Sequence, residues 1–209
     1  VLRGLTAVFV LSAVPTVLTN SDRIVFEAVP HSAPIVFFHS ELPGLRLRDL
    51  ASVISSQIIV LIPFFIARRY LSTPEAHREI LLAFVIAGLI YTVPSLIEIR
   101  FSPQMNVWIY GFFQHDFAQM VRQGGYRPIV FLPHALWLAL FMFSAMVAAV
   151  ALARTATNPN KVRFTFAAVY LFGMLILCKS MASLAYGLAF TPVIALASHR
   201  FQVRLALII

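Results

Sequence analysis

The stretch RQGGYRP (122–128) runs directly into the apolar segment IVFLPHALWLALFMFSAMVAAVALA (129–153). Gly124 and Gly125 free the backbone for close approach to a ligand. Pro128 suits the first turn of a helix, where its missing N–H costs nothing. The spacing therefore predicts a helix that begins just past Arg122 and Arg127, with its unpaired N–H groups beside both arginines. Such a start binds phosphate, because the amides point at the ligand and arginine forks grip its oxygens. If the helix also spans a membrane, the site lies where a lipid phosphate lies. The competing reading is an ordinary loop with arginines at headgroup level.

Composition decides the setting. The chain has 209 residues, 60% hydrophobic and 11% charged, with a mean hydropathy of +0.88. A soluble domain carries about 25% charged residues. These values predict an all-α fold, a polytopic transmembrane helical bundle forming a single membrane domain over 1–209. The net charge of +8 then reads as a difference between membrane sides, not as a nucleic-acid signal. A single cysteine, Cys178, excludes an internal disulfide and a cysteine-cluster metal site. The chain starts on Val1 and ends on LALII, which reads as the start of a further span, so a fragment of a longer protein is expected.

About six spans follow from the apolar runs: 2–18, 50–67, 80–97, 129–153, 164–178 and 181–197. Ser72 and Glu75 make a capping box before the third. Outer loops are expected at about 19–49 and 98–128, and cytoplasmic turns at about 68–79 and 154–163. The run 164–197 is too long for one straight span and carries Lys179, which is costly inside a bilayer. A hairpin that turns at Lys179 and Ser180 resolves both problems. In the first loop, prolines 30, 34 and 43 argue against a regular span, and the Val-Phe-Phe cluster is expected along the interface.

Orientation follows the basic residues. One side holds Arg3, Arg68, Arg69, Arg78, Arg154, Lys161, Arg163, Arg200 and Arg204, with only Glu75 and Glu79 as acids. The other mixes basic and acidic residues over longer loops. The first side is therefore assigned to the cytoplasm, and loop 98–128 faces outward. Trp108, Tyr110, Phe112, Phe113 and Phe117 suit an interfacial belt with a short helix lying in the surface.

The outer loops gather Arg100, Arg122, Arg127 and Lys179 near helix ends, as candidates to bind a pyrophosphate. Each has a plainer role. Arg100 can pair with Glu98 or Asp116, Arg122 can snorkel to headgroups, and Lys179 can serve only the hairpin turn. Trp108, Tyr110 and His115 are weaker candidates to bind sugar, against roles in the belt. His115 and Asp116 do not make a convincing base pair, since neighbours on a helix do not face each other. His134 reads as a packed histidine, although it could face the cavity of Arg127. His31 and His39, with Glu27 and Glu41, match no metal-site spacing, so no metal is expected. No nucleotide fingerprint or serine elbow is present, and no cofactor is expected.

The run EIRFSPQMNVWIYGFFQHDFAQMVRQGGYRPIVFLPHALWLALFMFSAMVAA (98–149) resembles the O-antigen ligase-like membrane proteins of bacterial polysaccharide synthesis. LPGLRLRDLASVISSQIIVLIPFFIARRYL and LCKSMASLAYGLAF resemble the same group. The resemblance implies a glycosyltransferase C-like helical membrane enzyme of lipopolysaccharide assembly in the bacterial inner membrane. It would act on the periplasmic side, transferring a glycan from undecaprenyl pyrophosphate to an acceptor glycan or glycolipid without a metal. Arg122 and Arg127 fall where the family has an arginine-containing stretch before a span. The family's catalytic histidine lies in a late periplasmic loop that this sequence does not reach, so the catalytic residue is unknown. Two other readings stay open: a transporter or flippase for a lipid-linked saccharide, and a non-catalytic subunit of a polysaccharide assembly complex.

Overall fold

The computed structural model describes residues 2–26 and 40–208, the side chains of residues 3, 26, 40 and 41 excepted. His31, His39 and the Val-Phe-Phe cluster lie outside the described residues. The fold is mostly helical, and its close contacts divide it into two compact units, 1–72 and 73–209.

The first unit holds α1 (Leu2–Leu11), α2 (Ala13–Thr19) and α3 (Leu47–Tyr70), with the short antiparallel pair β1 (Ile24–Phe26) and β2 (Ser40–Leu42). The expected first span is two short helices rather than one. Pro15 has no N–H to give the carbonyl one turn back. At the break, Ser12 bonds the Phe9 carbonyl through both its hydroxyl, at 2.7 Å, and its amide, at 3.3 Å. This local bonding replaces the regular ladder and tightens the turn.

The second unit holds α4 (Pro74–Phe101), α5 (Met105–Tyr110), a hairpin of β3 (Val121–Arg122) and β4 (Gly125–Tyr126), then α6 (Ala135–Thr155), α7 (Asn160–Leu177), α8 (Met181–Leu196) and α9 (His199–Ile208). Helix α4 is capped by Thr73, one residue later than expected. Its side chain accepts the Ala76 amide at 3.2 Å, and Pro74 takes the first helical position.

Helix α6 is the centre of this unit and packs on α4, α7 and α8. Leu138, Met142, Ala145, Ala149 and Leu152 are buried at alternating steps of four and three, which keeps them on one face. Gly88 of α4 lies against Ala145: a Cβ there would stand 2.5 Å from the Ala145 Cβ. Only a glycine allows the two helices this approach.

Among the described residues four helices, α3, α4, α6 and α7, are long and apolar enough to cross a membrane, as in a membrane protein. Residues 4–19 and α8 are apolar but shorter. The hairpin turn at Lys179 is present: α7 stops at Leu177, Lys179 adopts φ 50°, and α8 starts at Met181.

The fourth apolar run does not begin its helix at Ile129. Three features delay it to Ala135. Val130 has φ 54°, outside the helical region. Pro133 pushes Leu132 away from helical geometry. His134 is the cap, its Nδ1 accepting the Leu136 amide at 2.9 Å.

Candidate functional site

The end of the second unit at the C-terminus of α4 is organised by Glu98, in the last turn of that helix. It is 1% exposed. Its Oε2 accepts the amides of Ile129 and Val130 at 2.8 and 2.7 Å, and its Oε1 accepts the Met105 amide at 3.0 Å. A buried carboxylate needs such donors, because an unpaired one would be strongly destabilising. The amides past Pro128 do form an anion site, but the anion is the protein's own. These amides therefore face Glu98 rather than the external phosphate expected of them, and the alternative pairing of Arg100 with Glu98 is not formed. Gln114 closes the same loop, its Nε2 donating to the carbonyls of Val130 and Leu132.

The RQGGYR stretch is a two-residue hairpin. Val121 pairs with Tyr126 and Arg122 with Gly125, leaving Gln123 and Gly124 at the tip, with φ 49° and 68°. Positive φ at both tip positions matches the twist of the flanking strands. The glycines thus have separate roles. Gly124 makes the turn, and Gly125 makes room for Lys179, whose Nζ would lie 2.6 Å from a Cβ at that position. The Lys179 ammonium donates to the Arg122 carbonyl at 2.8 Å. What approaches this backbone closely is a lysine from the α7–α8 turn.

Arg127 is 3% exposed. Its backbone amide donates to the Met120 carbonyl at 2.8 Å, but its Nε is buried without a hydrogen-bond partner among the described residues. No acid among them forms an ion pair with its guanidinium. Burial, and then the positive field of Arg122, lower its pKa from the ordinary arginine value. Arginine begins so far above neutrality that it keeps its charge. A buried, uncompensated guanidinium is costly. Arg122 itself is exposed, so the two arginines do not form a matched open pair.

His115 and His134 meet edge to face, with ring centroids 4.4 Å apart. Each Nδ1 accepts a backbone amide: that of Asp116 at 2.7 Å for His115, and that of Leu136 for His134. His115 Nδ1 also lies 3.4 Å from the Asp116 carbonyl, but the shorter amide contact fixes the tautomer. The neutral rings therefore carry their proton on Nε2. In that state Nε2 can donate to an anion but cannot take a proton from an acceptor hydroxyl. It cannot ligate a metal without losing its own proton. His134 titrates below the ordinary histidine value, because of burial first, then the charge of His115 and that of Arg127. His115 and Asp116 precede a 3-10 turn, 117–120, whose Ala118 amide donates to the Asp116 carboxylate at 3.0 Å.

The other candidates separate. Arg100 is exposed, and its guanidinium lies over the Phe101 ring at 5.5 Å. Trp108 and Tyr110 sit on α5, 58% and 61% exposed, with Tyr110 edge-on to Phe131. The structure thus brings together Arg122, Arg127, Lys179, His115 and His134, leaving Arg100, Trp108 and Tyr110 in contacts of their own. Sequence reading missed the His115–His134 pair and the role of Glu98. Neither carries a spacing signal, because both depend on contacts across a long loop.

Comparison with family models, curated proteins and solved structures finds no match for this chain. The resemblance to O-antigen ligase-like proteins therefore rests on the quoted motifs alone.

Proposed function

We propose that this chain is part of a bacterial inner-membrane glycosyltransferase of the O-antigen ligase or polymerase type, with about six spans in a glycosyltransferase C-like arrangement. Its outward face would hold the pyrophosphate of an undecaprenyl-linked glycan. The observation that carries the reading is Arg127: a buried guanidinium with no acid partner among the described residues, in the loop cluster of Arg122, Lys179 and His134. Such a group calls for an anion, and a lipid diphosphate supplies one at this depth.

In the reaction, an acceptor hydroxyl oxygen attacks the anomeric carbon from the face opposite the pyrophosphate. The new glycosidic bond forms as the bond to the pyrophosphate oxygen breaks, and the lipid diphosphate leaves with the electron pair. Fixed cations stabilise the charge that grows on that leaving group. The acceptor proton goes to a base other than His115 or His134, whose Nε2 already carries hydrogen.

The test is complementation of a strain lacking the full-length protein, with Arg127→Ala and Arg127→Lys. Arg127→Ala is expected to reduce product about 100-fold or more at unchanged protein level, with partial recovery in Arg127→Lys. Normal product from Arg127→Ala would overturn the proposal.

A further inference from the structure

Away from the proposed pyrophosphate site, two apolar grooves flank the first half of α7. The larger, about 590 Å³, runs between α6, α7 and α8, with walls including Met146, Phe172 and Leu188. The smaller, about 370 Å³, is walled by Val162 and Phe166. Both grooves share three lining residues, Lys161, Thr165 and Val169. These stand at i, i+4 and i+8, so they form one ridge along α7, with a groove on either side. Lys161 is at the polar end of that ridge and exposed. Arg154 lines the larger groove, and Arg163 lies beside Lys161 in sequence. The turn 154–163 contains no acidic residue, and neither does α9, which carries Arg200 and Arg204.

We propose that this ridge seats one anionic diacyl phospholipid. One acyl chain lies in each groove, and the headgroup phosphate rests on Lys161. The argument is charge complementarity joined to shape. Two apolar channels converge on one cationic point, and a diacyl lipid has two apolar chains that converge on one phosphate. A net basic rim, with Glu75 and Glu79 the only acids assigned to that side, favours a net negative headgroup over a zwitterionic one. The ridge threonine does not compete for the headgroup, since the Thr165 hydroxyl already donates to the Lys161 carbonyl at 2.8 Å. This site is independent of Arg127 and of any glycan chemistry.

The test is native mass spectrometry of the intact protein released from detergent, with phosphatidylglycerol or phosphatidylcholine of identical acyl chains added in turn. One phosphatidylglycerol is expected to remain bound, with phosphatidylcholine retained about fivefold less well. Lys161→Glu should bring phosphatidylglycerol retention down to the phosphatidylcholine level. Val169→Trp, which blocks the ridge without changing charge, should weaken both lipids. Lysophosphatidylglycerol, with one chain, should be held less well than the two-chain lipid. Equal retention of the two diacyl lipids by the unmutated protein would overturn the proposal. So would a lipid-free species, whether a monomer or a dimer whose second copy covers the grooves.

Discussion

Glu98 and Val130 are 32 residues apart, and the carboxylate of one accepts the backbone amide of the other at 2.7 Å. This bond helps to hold Val130 in the left-handed region, where a β-branched residue is strained by about 1–3 kcal/mol. The loop over the end of α4 is thus tied to a buried carboxylate, and that tie acts with Pro133 and the His134 cap to delay the start of α6.

Glu98→Gln tests the tie. The amide has one acceptor oxygen, and its NH2 would face a backbone N–H donor. At least one buried donor is then left without a partner, so a loss of about 3 kcal/mol is expected. Thermal unfolding of the purified protein in detergent measures it. An unchanged midpoint would mean that the loop is held by other contacts.

Gly125→Ala separates a structural glycine from a ligand-binding one. The new Cβ would meet the Lys179 ammonium, which is the movable end of a long side chain. Stability should therefore fall by no more than about 1–2 kcal/mol, through the weakened bond to the Arg122 carbonyl. If Lys179 serves the proposed pyrophosphate site, product in complementation should fall more than stability does. Lys179→Met should then reproduce the loss of product.

His134 gives a pH dependence with a fixed sign. Its pKa is lowered in the fold, so between the folded value and about 6.5 the unfolded chain binds more protons. Stability is therefore full above pH about 6.5 and declines as the pH falls below it. His134→Asn keeps an oxygen cap for α6 and removes the titration, so it should flatten this slope. His134→Ala should flatten it as well and cost about 1 kcal/mol at neutral pH, through loss of the cap. A slope unchanged in His134→Asn would assign the acid sensitivity to another group.

Several elements are legible before any coordinates. Lys179 between two apolar runs marks a break between helices, and the break is there. Arg122, Arg127 and Lys179 stand out as cations near helix ends, and the fold does bring them to one loop cluster. Other features are hidden because sequence spacing does not encode them. The apolar run at 129–134 looks like helix, yet Glu98 takes two of its amides and Pro133 restricts it. His115 and His134 look unrelated, yet their rings touch. Gly125 looks like room for a ligand, yet a lysine fills that room.

What the sequence alone determines is the solvent and the element type. In an apolar medium a backbone is satisfied in helices or closed barrels, and continuous apolar runs of about 20 residues with few charges fit helices, whatever their partners. What only the tertiary structure decides is which charges are answered and which are left. Glu98 is answered by three amides brought from distant segments, while Arg127 is buried with its Nε unanswered among the described residues. The physical reason is that burial and hydrogen bonding depend on which segments meet in space, and composition and periodicity do not set that meeting.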